Sequence, residues 1–271
     1  MKTKTRLTIT LSQDLLAKVD SLIDGHSARN RSHAIEGLVR KSLSVEIESA
    51  VILAGGNREN GDTPSLKKIN KRYVLSIMID QLKMFGVTKI IMCAGKNEKK
   101  IKDIFGDGSS HGINLIYSSE SKPLGSAGTI KNAEGLIGKN PFLVINDNTL
   151  TNLNMDDLFE FHLNEDSIAT VCVKPRMSEE KYGQAFLHGN KIVKFLDKSK
   201  HEGISIVNVG MYVLKPEIFE LIEKDKHLGL ESDIFPKLAE KKELSAFVFQ
   251  GNWFDASKEI SYKQAVKNWK D

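Results

Sequence analysis

The sequence has little of what marks a secreted, zinc-stapled or membrane-crossing chain. It holds two cysteines in 271 residues, Cys93 and Cys172, each inside an apolar run (90–94 and 168–173). Such thiols read as buried and reduced, not as a disulfide framework. The seven histidines show no HExxH-type spacing, which argues against zinc. No stretch approaches the roughly 20 apolar residues of a membrane span, and the first residues carry no apolar signal core. A cytoplasmic protein with no membrane partner is the expectation. There is no G-x-x-x-x-G-K-[ST] loop and no G-x-G-x-x-G step, so neither P-loop nor dinucleotide-fold phosphate binding is supported.

Charge is unevenly spread. Residues 1–45 hold eight Lys/Arg against four Asp/Glu, while residues 46–271 hold 31 of each sign, for a total of +4. The asymmetry predicts a small basic module, 1–45, joined to a large neutral domain, 46–271, with a polyanion as the partner of the first. Arg6–Leu11 reads RLTITL, a strict polar–apolar alternation that predicts a strand. Ser12 is placed to cap a helix carrying Leu15, Leu16, Val19, Leu22 and Ile23, closed by Gly25, and Ser32 to cap a second helix carrying Ile35, Leu38, Val39 and Leu43. One strand and two short helices cannot close a core alone, and the most economical partner is the same strand of a second copy. This order over residues 3–44 resembles the ribbon-helix-helix family of DNA-binding repressors. The resemblance implies a homodimer on operator DNA. Arg6, Thr8 and Thr10 would read base edges in the major groove. The helix start at Arg31, Ser32 and His33 would clamp a phosphate.

The larger part alternates apolar runs with helical periods: 50–53, 73–85, 89–94, 101–105, 113–117, 126–136 and 142–145, then a strand-rich second half. Strands alternating with helices predict an α/β domain with a mixed, mostly parallel sheet flanked by helices. The order of the blocks VILAGG (51–56), PLGSAGTI (123–130), FLVINDNTLTNLNMDDLFEFH (142–162), KYGQAFL (181–187), ESDIFPKLAE (231–240) and WFDASKEISY (253–262) resembles the sugar-phosphate nucleotidyltransferase family over residues 49–269. That resemblance implies joining of a nucleoside triphosphate to a sugar 1-phosphate with release of pyrophosphate, supported by Mg²⁺.

The family pattern maps unevenly onto this chain. Ala54, Gly55 and Gly56 match the glycine turn, and Gly125, Ser126, Ala127 and Gly128 the loop at the nucleobase and sugar. Gly183, Asp197, Lys198, Asn208 and Gly210 match sugar-side positions. The phosphate-binding loop departs: Arg58 lacks the preceding Gly-Thr, and the Pro-Lys pair is Pro64-Ser65, so Lys67 or Lys68 would have to serve. The first metal aspartate falls on Asp147 or on Asn148 depending on the alignment, and the second on Asp255, followed by Ala256-Ser257-Lys258 in place of Ile-Gly-Thr. An amide at the first position would weaken Mg²⁺ binding. Retained ligand contacts beside altered catalytic groups favour a DNA-binding transcriptional regulator whose degenerate domain senses a nucleotide, sugar phosphate or nucleotide sugar, with no cofactor. The alternative is an active Mg²⁺-dependent sugar-1-phosphate nucleotidyltransferase with a fused autoregulatory DNA-binding module. Whether the chain is an enzyme stays open on sequence alone.

Overall fold

The computed structural model describes residues 7–25, 28–43, 47–56, 63–177, 182–199 and 203–269. The chain divides into two compact units, Met1–Val45 and Glu46–Asp271.

In the first unit, α1 spans Gln13–Asp20 and α2 spans Arg31–Leu43. Ser12 caps α1, its side chain accepting from Leu15 N–H. The helix stops at Asp20, short of Gly25, because the chain tightens there: Leu22 N–H donates to Val19 O and Ile23 N–H to Asp20 O. Asn30, not Ser32, caps α2, its Oδ1 accepting from His33 N–H at 2.9 Å. Val19, Ala28 and Ala34 form a small core with Leu11, Ile23 and Ile35 against it. The expected strand is not found in its described part, since residues 7–11 carry no ladder. A strand needs a neighbouring edge for its backbone groups, and one copy offers none here.

The second unit opens with β1 (Ser49–Leu53), followed by the short pair β2 (Lys68–Ile69) and β3 (Arg72–Tyr73). Next come α3 (Val74–Met84), β4 (Lys89–Cys93), α4 (Glu98–Phe105), β5 (Asn114–Tyr117), α5 (Gly125–Asn132), α6 (Glu134–Ile137) and β6 (Phe142–Asn146). The remainder is β7 (Thr149–Thr151), α7 (Met155–Asn164), β8 (Ala169–Met177), β9 (Tyr182–His188), β10 (Lys191–Ser199), β11 (Ile204–Leu214), α8 (Phe235–Glu240), β12 (Leu244–Val248), β13 (Trp253–Asp255) and α9 (Glu259–Asn268).

The main sheet runs β5-β4-β1-β6-β11-β8-β12-β10-β9. It is parallel along β5-β4-β1-β6 and between β8 and β12, and antiparallel elsewhere. The expected parallel pairing therefore holds throughout the first half, where crossover helices separate the strands, and in the second half only between β8 and β12. The short β9–β10 connection returns the chain directly, which gives an antiparallel pair. Alternate residues of the parallel strands feed two cores. Ala50, Ile52, Ile90, Met92, Leu143 and Ile145 meet α3, α4, α7 and α9 on one face, while Val51, Ile91, Cys93, Phe142 and Val144 meet α5, α6 and α8 on the other. Burial on both faces is why these strands read as unbroken apolar runs. Among the described residues no helix is long and apolar enough to cross a membrane.

Candidate functional site

In a sheet of this kind, ligands meet the carboxyl ends of the parallel strands. At the end of β1, Ala54 N–H donates to Cys93 O at 2.8 Å, and Ala54 O accepts from Asn97 Nδ2 at 3.2 Å. Gly55 lies so close to the end of β4 that a Cβ on it would stand 3.2 Å from both Gly95 N and the Glu120 carboxylate, while one on Gly56 would meet open space. The turn is thus pinned on one side and open on the other. Arg58 lies outside the described residues.

At the end of β6 the chain continues into Asp147 and Asn148, and the small β7–β13 ladder sets Thr149 opposite Asp255. This pairing joins two segments more than a hundred residues apart. Asn148 Nδ2 donates to Asp255 Oδ1 at 2.5 Å and to Ser257 Oγ at 3.2 Å. Ser257 donates to the same Oδ1 through its N–H at 2.9 Å and its hydroxyl at 2.5 Å. Asp147 is fully buried and accepts from the Ser65 hydroxyl on Oδ2 at 3.3 Å. The two alignments are separated by this geometry: the residue against Asp255 is Asn148, and Asp147 sits one step back against Ser65. Among the described residues every hydrogen bond to the Asp255 carboxylate falls on Oδ1, leaving Oδ2 for another ligand. The open Oδ2 of Asp255 is a carboxylate oxygen of the kind Mg²⁺ takes, with its remaining ligands coming from phosphates and water. Among the described residues no group of three or more His, Cys, Asp or Glu able to hold a metal occurs.

Lys67 and Lys68 diverge. Lys67 Nζ donates to Ala256 O at 3.0 Å and lies 5.2 Å from the Tyr262 ring centroid, next to the Asp255 turn. Lys68 Nζ lies 4.7 Å from the Tyr73 ring centroid. Of the two, Lys67 joins this group.

Gly125 and Gly128 are packed against residues 226–228. Gly125 has φ +71°, and a Cβ there would come within 2.5 Å of Leu228 O; one on Gly128 would come equally close to Lys226 O. Ala127 N–H donates to Leu228 O at 2.9 Å, and Leu230 N–H donates to Ser126 Oγ at 2.8 Å. These glycines thus carry a packing role. Gly183 packs on the Phe195 ring. Asn208 Nδ2 donates to Glu231 Oε1 at 2.5 Å and to Tyr212 Oη at 2.8 Å, while its Oδ1 accepts from Gly210 N–H at 2.9 Å. Gly210, at φ +76°, forms the bulge of β11 and lies against Asn146 and Thr149, which ties the sugar-side expectation to the Asp147–Asn148 loop. Burial and the Glu231 charge hold the Tyr212 hydroxyl well above the usual phenol range. Asp197 and Lys198 are in β10, but their side chains lie outside the described residues.

Sequence reasoning missed Ser65, Ser257 and Glu231 as members of this network. Glu231 opens the ESDIFP block, and that was the one available signal.

In the first unit, Arg6 lies outside the described residues, and Thr8 and Thr10 are exposed. Arg31 is held by Asp20 through two hydrogen bonds, Nε to Oδ1 at 2.6 Å and Nη2 to Oδ2 at 2.8 Å. The His33 N–H is spent on Asn30, so the expected phosphate clamp at Ser32 and His33 has lost one of its donors.

The chain belongs to the nucleotidyl transferase family, whose family model matches residues 49–271. Among similar proteins, mannose-1-phosphate guanyltransferase 2 of Candida glabrata is 31% identical over 199 residues, 71% of this chain and 54% of that protein. The chain thus spans about half the length of that relative. The D-glycero-alpha-D-manno-heptose 1-phosphate guanylyltransferase of Aneurinibacillus thermoaerophilus is 28% identical over 224 residues, 80% of this chain and 96% of that protein. The crystal structure of HddC from Yersinia pseudotuberculosis is 26% identical with a TM-score of 0.71, covering 82% of this chain and all of that one. These findings correct the expectation of a transcriptional regulator with a sensing domain: the matched relatives are named as guanylyltransferases, which favours the enzyme alternative.

Proposed function

We propose that residues 46–271 transfer a nucleotidyl group from a nucleoside triphosphate to a sugar 1-phosphate. GTP with mannose 1-phosphate or a heptose 1-phosphate is the first pair to test, following the names of the relatives. The observation that carries this reading is Asn148 held against Asp255 just past the carboxyl end of β6, with Asp147 N–H donating to Leu53 O at the head of the turn 54–56. In the proposed reaction a phosphate oxygen of the sugar 1-phosphate bonds to the α-phosphorus. The bond from that phosphorus to the bridging oxygen breaks, and pyrophosphate leaves with the electron pair. The open side of Gly56 lets the triphosphate approach the backbone. Lys67 contributes positive charge beside the Asp255 turn, where charge accumulates on the transferring group. Asn148 and Ser257 hold Asp255 Oδ1 and so aim Oδ2. Asp147 and Asp255 would hold Mg²⁺, which when bound neutralises phosphate charge. The test is pyrophosphate release across a panel of nucleoside triphosphates and sugar 1-phosphates. A sugar-dependent signal with one pair is expected. Release that ignores the sugar, or no release with any pair, would contradict the proposal.

For residues 1–45 we propose self-association. Leu7, Leu15, Leu22, Leu38 and Val39 all stay more than 40% exposed in a unit whose core, among the described residues, holds three buried apolar residues. Sedimentation should report a dimer that residues 47–271 alone do not form. Equal masses per chain for both would remove this role.

A further inference from the structure

The turn 54–56 is held by a residue that the reaction as described does not use. Asn97 closes the short turn 95–97 after β4 and is only 4% exposed. Its Nδ2 donates to Ala54 O at 3.2 Å, across 43 residues of sequence. A carbonyl only accepts, which fixes the end of the Asn97 amide that faces it. Ala54 is thereby held twice from the β4 side, since its N–H donates to Cys93 O at 2.8 Å. The residue before it looks the other way: Leu53 O accepts from Asp147 N–H at 3.1 Å, on the β6 side.

The Asn97 contact settles how the next peptide lies. Among the described residues no peptide bond is cis, and in a trans peptide the N–H runs antiparallel to the carbonyl. With Ala54 O turned to Asn97, the Gly55 N–H is turned away from it, to the side where β6 leads into Asp147. Gly55 is partly exposed, and among the described residues its N–H donates to nothing. Without Asn97 little would hold that direction. Flipping the peptide turns ψ of Ala54 and φ of Gly55 together, and glycine accepts φ of either sign. A flipped peptide would present a carbonyl oxygen, which repels phosphate, where the N–H now stands. We propose that Asn97 is a positioning residue: it locks the 54–55 peptide with the Gly55 N–H outward, as a donor to the nucleoside triphosphate. A donor fixed before the ligand arrives costs no reorganisation on binding. The inference rests on the transfer reaction proposed above.

Two measurements on the full chain test it, one of them without nucleotide. Labelling glycine nitrogen and alanine carbonyl carbon selects the amides that follow alanine, those of Gly55, Gly95 and Gly128. In NMR the Gly55 amide should show the steep temperature dependence of an N–H bonded only to water. Asn97→Asp puts an acceptor where the donor was. It should turn the peptide over and draw the Gly55 N–H onto the carboxylate, with a downfield shift and a shallow temperature dependence. The same shift and slope in both proteins would overturn the lock. The second measurement is calorimetric titration, with Mg²⁺, of the α,β-methylene analogue of GTP, which cannot release pyrophosphate. Asn97→Ala and Asn97→Leu both remove the donor without adding charge. Each should bind about three- to tenfold more weakly, the loss of one hydrogen bond. In turnover the KM for GTP should rise by a similar factor while that for mannose 1-phosphate stays within about twofold. If Asn97→Ala melts, Asn97→Leu and the amide reading carry the test. Wild-type affinity in Asn97→Leu would mean that Asn97 only fills space, and an equal rise in both KM values would mean a general loosening; either overturns the positioning role. The expected amide behaviour in a chain that neither binds nor turns over the nucleotide would support the lock and strike the transfer reaction alone.

Discussion

Replacing Asp255 in two ways separates its structural work from its chemistry. Oδ1 accepts from Asn148 Nδ2, Ser257 N–H and the Ser257 hydroxyl, while Oδ2 accepts nothing among the described residues. Asp255→Ala removes all three acceptor contacts at a buried position. The Ser257 hydroxyl can rotate to water, but the two N–H donors cannot. Leaving them unsatisfied costs about 2–3 kcal/mol. At a slope of about 2 kcal/mol per molar urea, that lowers the unfolding midpoint by about 1 M. Asp255→Asn keeps an acceptor at Oδ1 and places its NH₂ where Oδ2 was, so its stability should fall by about 1 kcal/mol or less. Its Mg²⁺-dependent transfer should nevertheless drop by at least about a hundredfold, because a carboxylate ligand is gone. Urea unfolding and turnover measured on the same preparations read both effects. If Asp255→Asn unfolds as easily as Asp255→Ala, the hydrogen bonds to Oδ1 are not what fixes this turn. If Asp255→Asn keeps wild-type turnover, Oδ2 is not a cation ligand.

Three further outcomes follow from the same structure. Burial, with the Lys215 charge second, lowers the His162 pKa from the usual 6.5 to about 4. The unfolded chain takes its proton as pH falls through 6.5 and the folded chain only near 4, so stability should be lost across that window by up to about 1.4 kcal/mol per pH unit. His162→Leu should flatten this part of the acid slope in urea unfolding, and an unaltered slope would refute it. Gly210→Ala should cost about 1–3 kcal/mol, since φ is +76° and the new Cβ would stand 2.6 Å from Asn146 Nδ2, whereas Gly37→Ala, exposed in α2 with nothing within 4 Å, should stabilise by about 0.5–1 kcal/mol in the same assay. Finally, burial and then the Glu120 charge push the Cys93 thiol up to about 12 despite the Ser118 hydrogen bond, and burial raises Cys172. A disulfide reagent at pH 8 should therefore find neither thiol in the folded protein and both after unfolding; rapid labelling of the folded chain would contradict their burial.

The parts of the fold that follow local rules were legible. The runs giving β1, β4 and β6 stand out because both their faces are buried, and the period of α3 places Leu75, Met78, Ile79 and Leu82 on one core. The cap of α2 was misplaced by two residues because Asn30 and Ser32 are both good caps, and the chain settles the choice by pairing Arg31 with Asp20. The amino-terminal alternation does not make a strand in one copy, since pairing is a property of two segments. At the site, the choice between Asp147 and Asn148 stayed open because a contact from residue 148 to residue 255 leaves no local pattern. The same holds for Lys67, whose partner Ala256 is 189 residues away. The resemblance in the large domain carried the family. The altered catalytic motifs then pulled the functional reading toward a sensor, and the relatives reverse it.

The most direct measurement is a phosphorus-31 NMR time course of the full chain with GTP, Mg²⁺ and mannose 1-phosphate, repeated with a heptose 1-phosphate. The account predicts that the sugar-phosphate and triphosphate resonances decline together, while the paired resonances of a nucleotide sugar and the pyrophosphate signal rise in step. Both substrates left untouched with either sugar, or GTP hydrolysed without a sugar-linked diphosphate appearing, would contradict it.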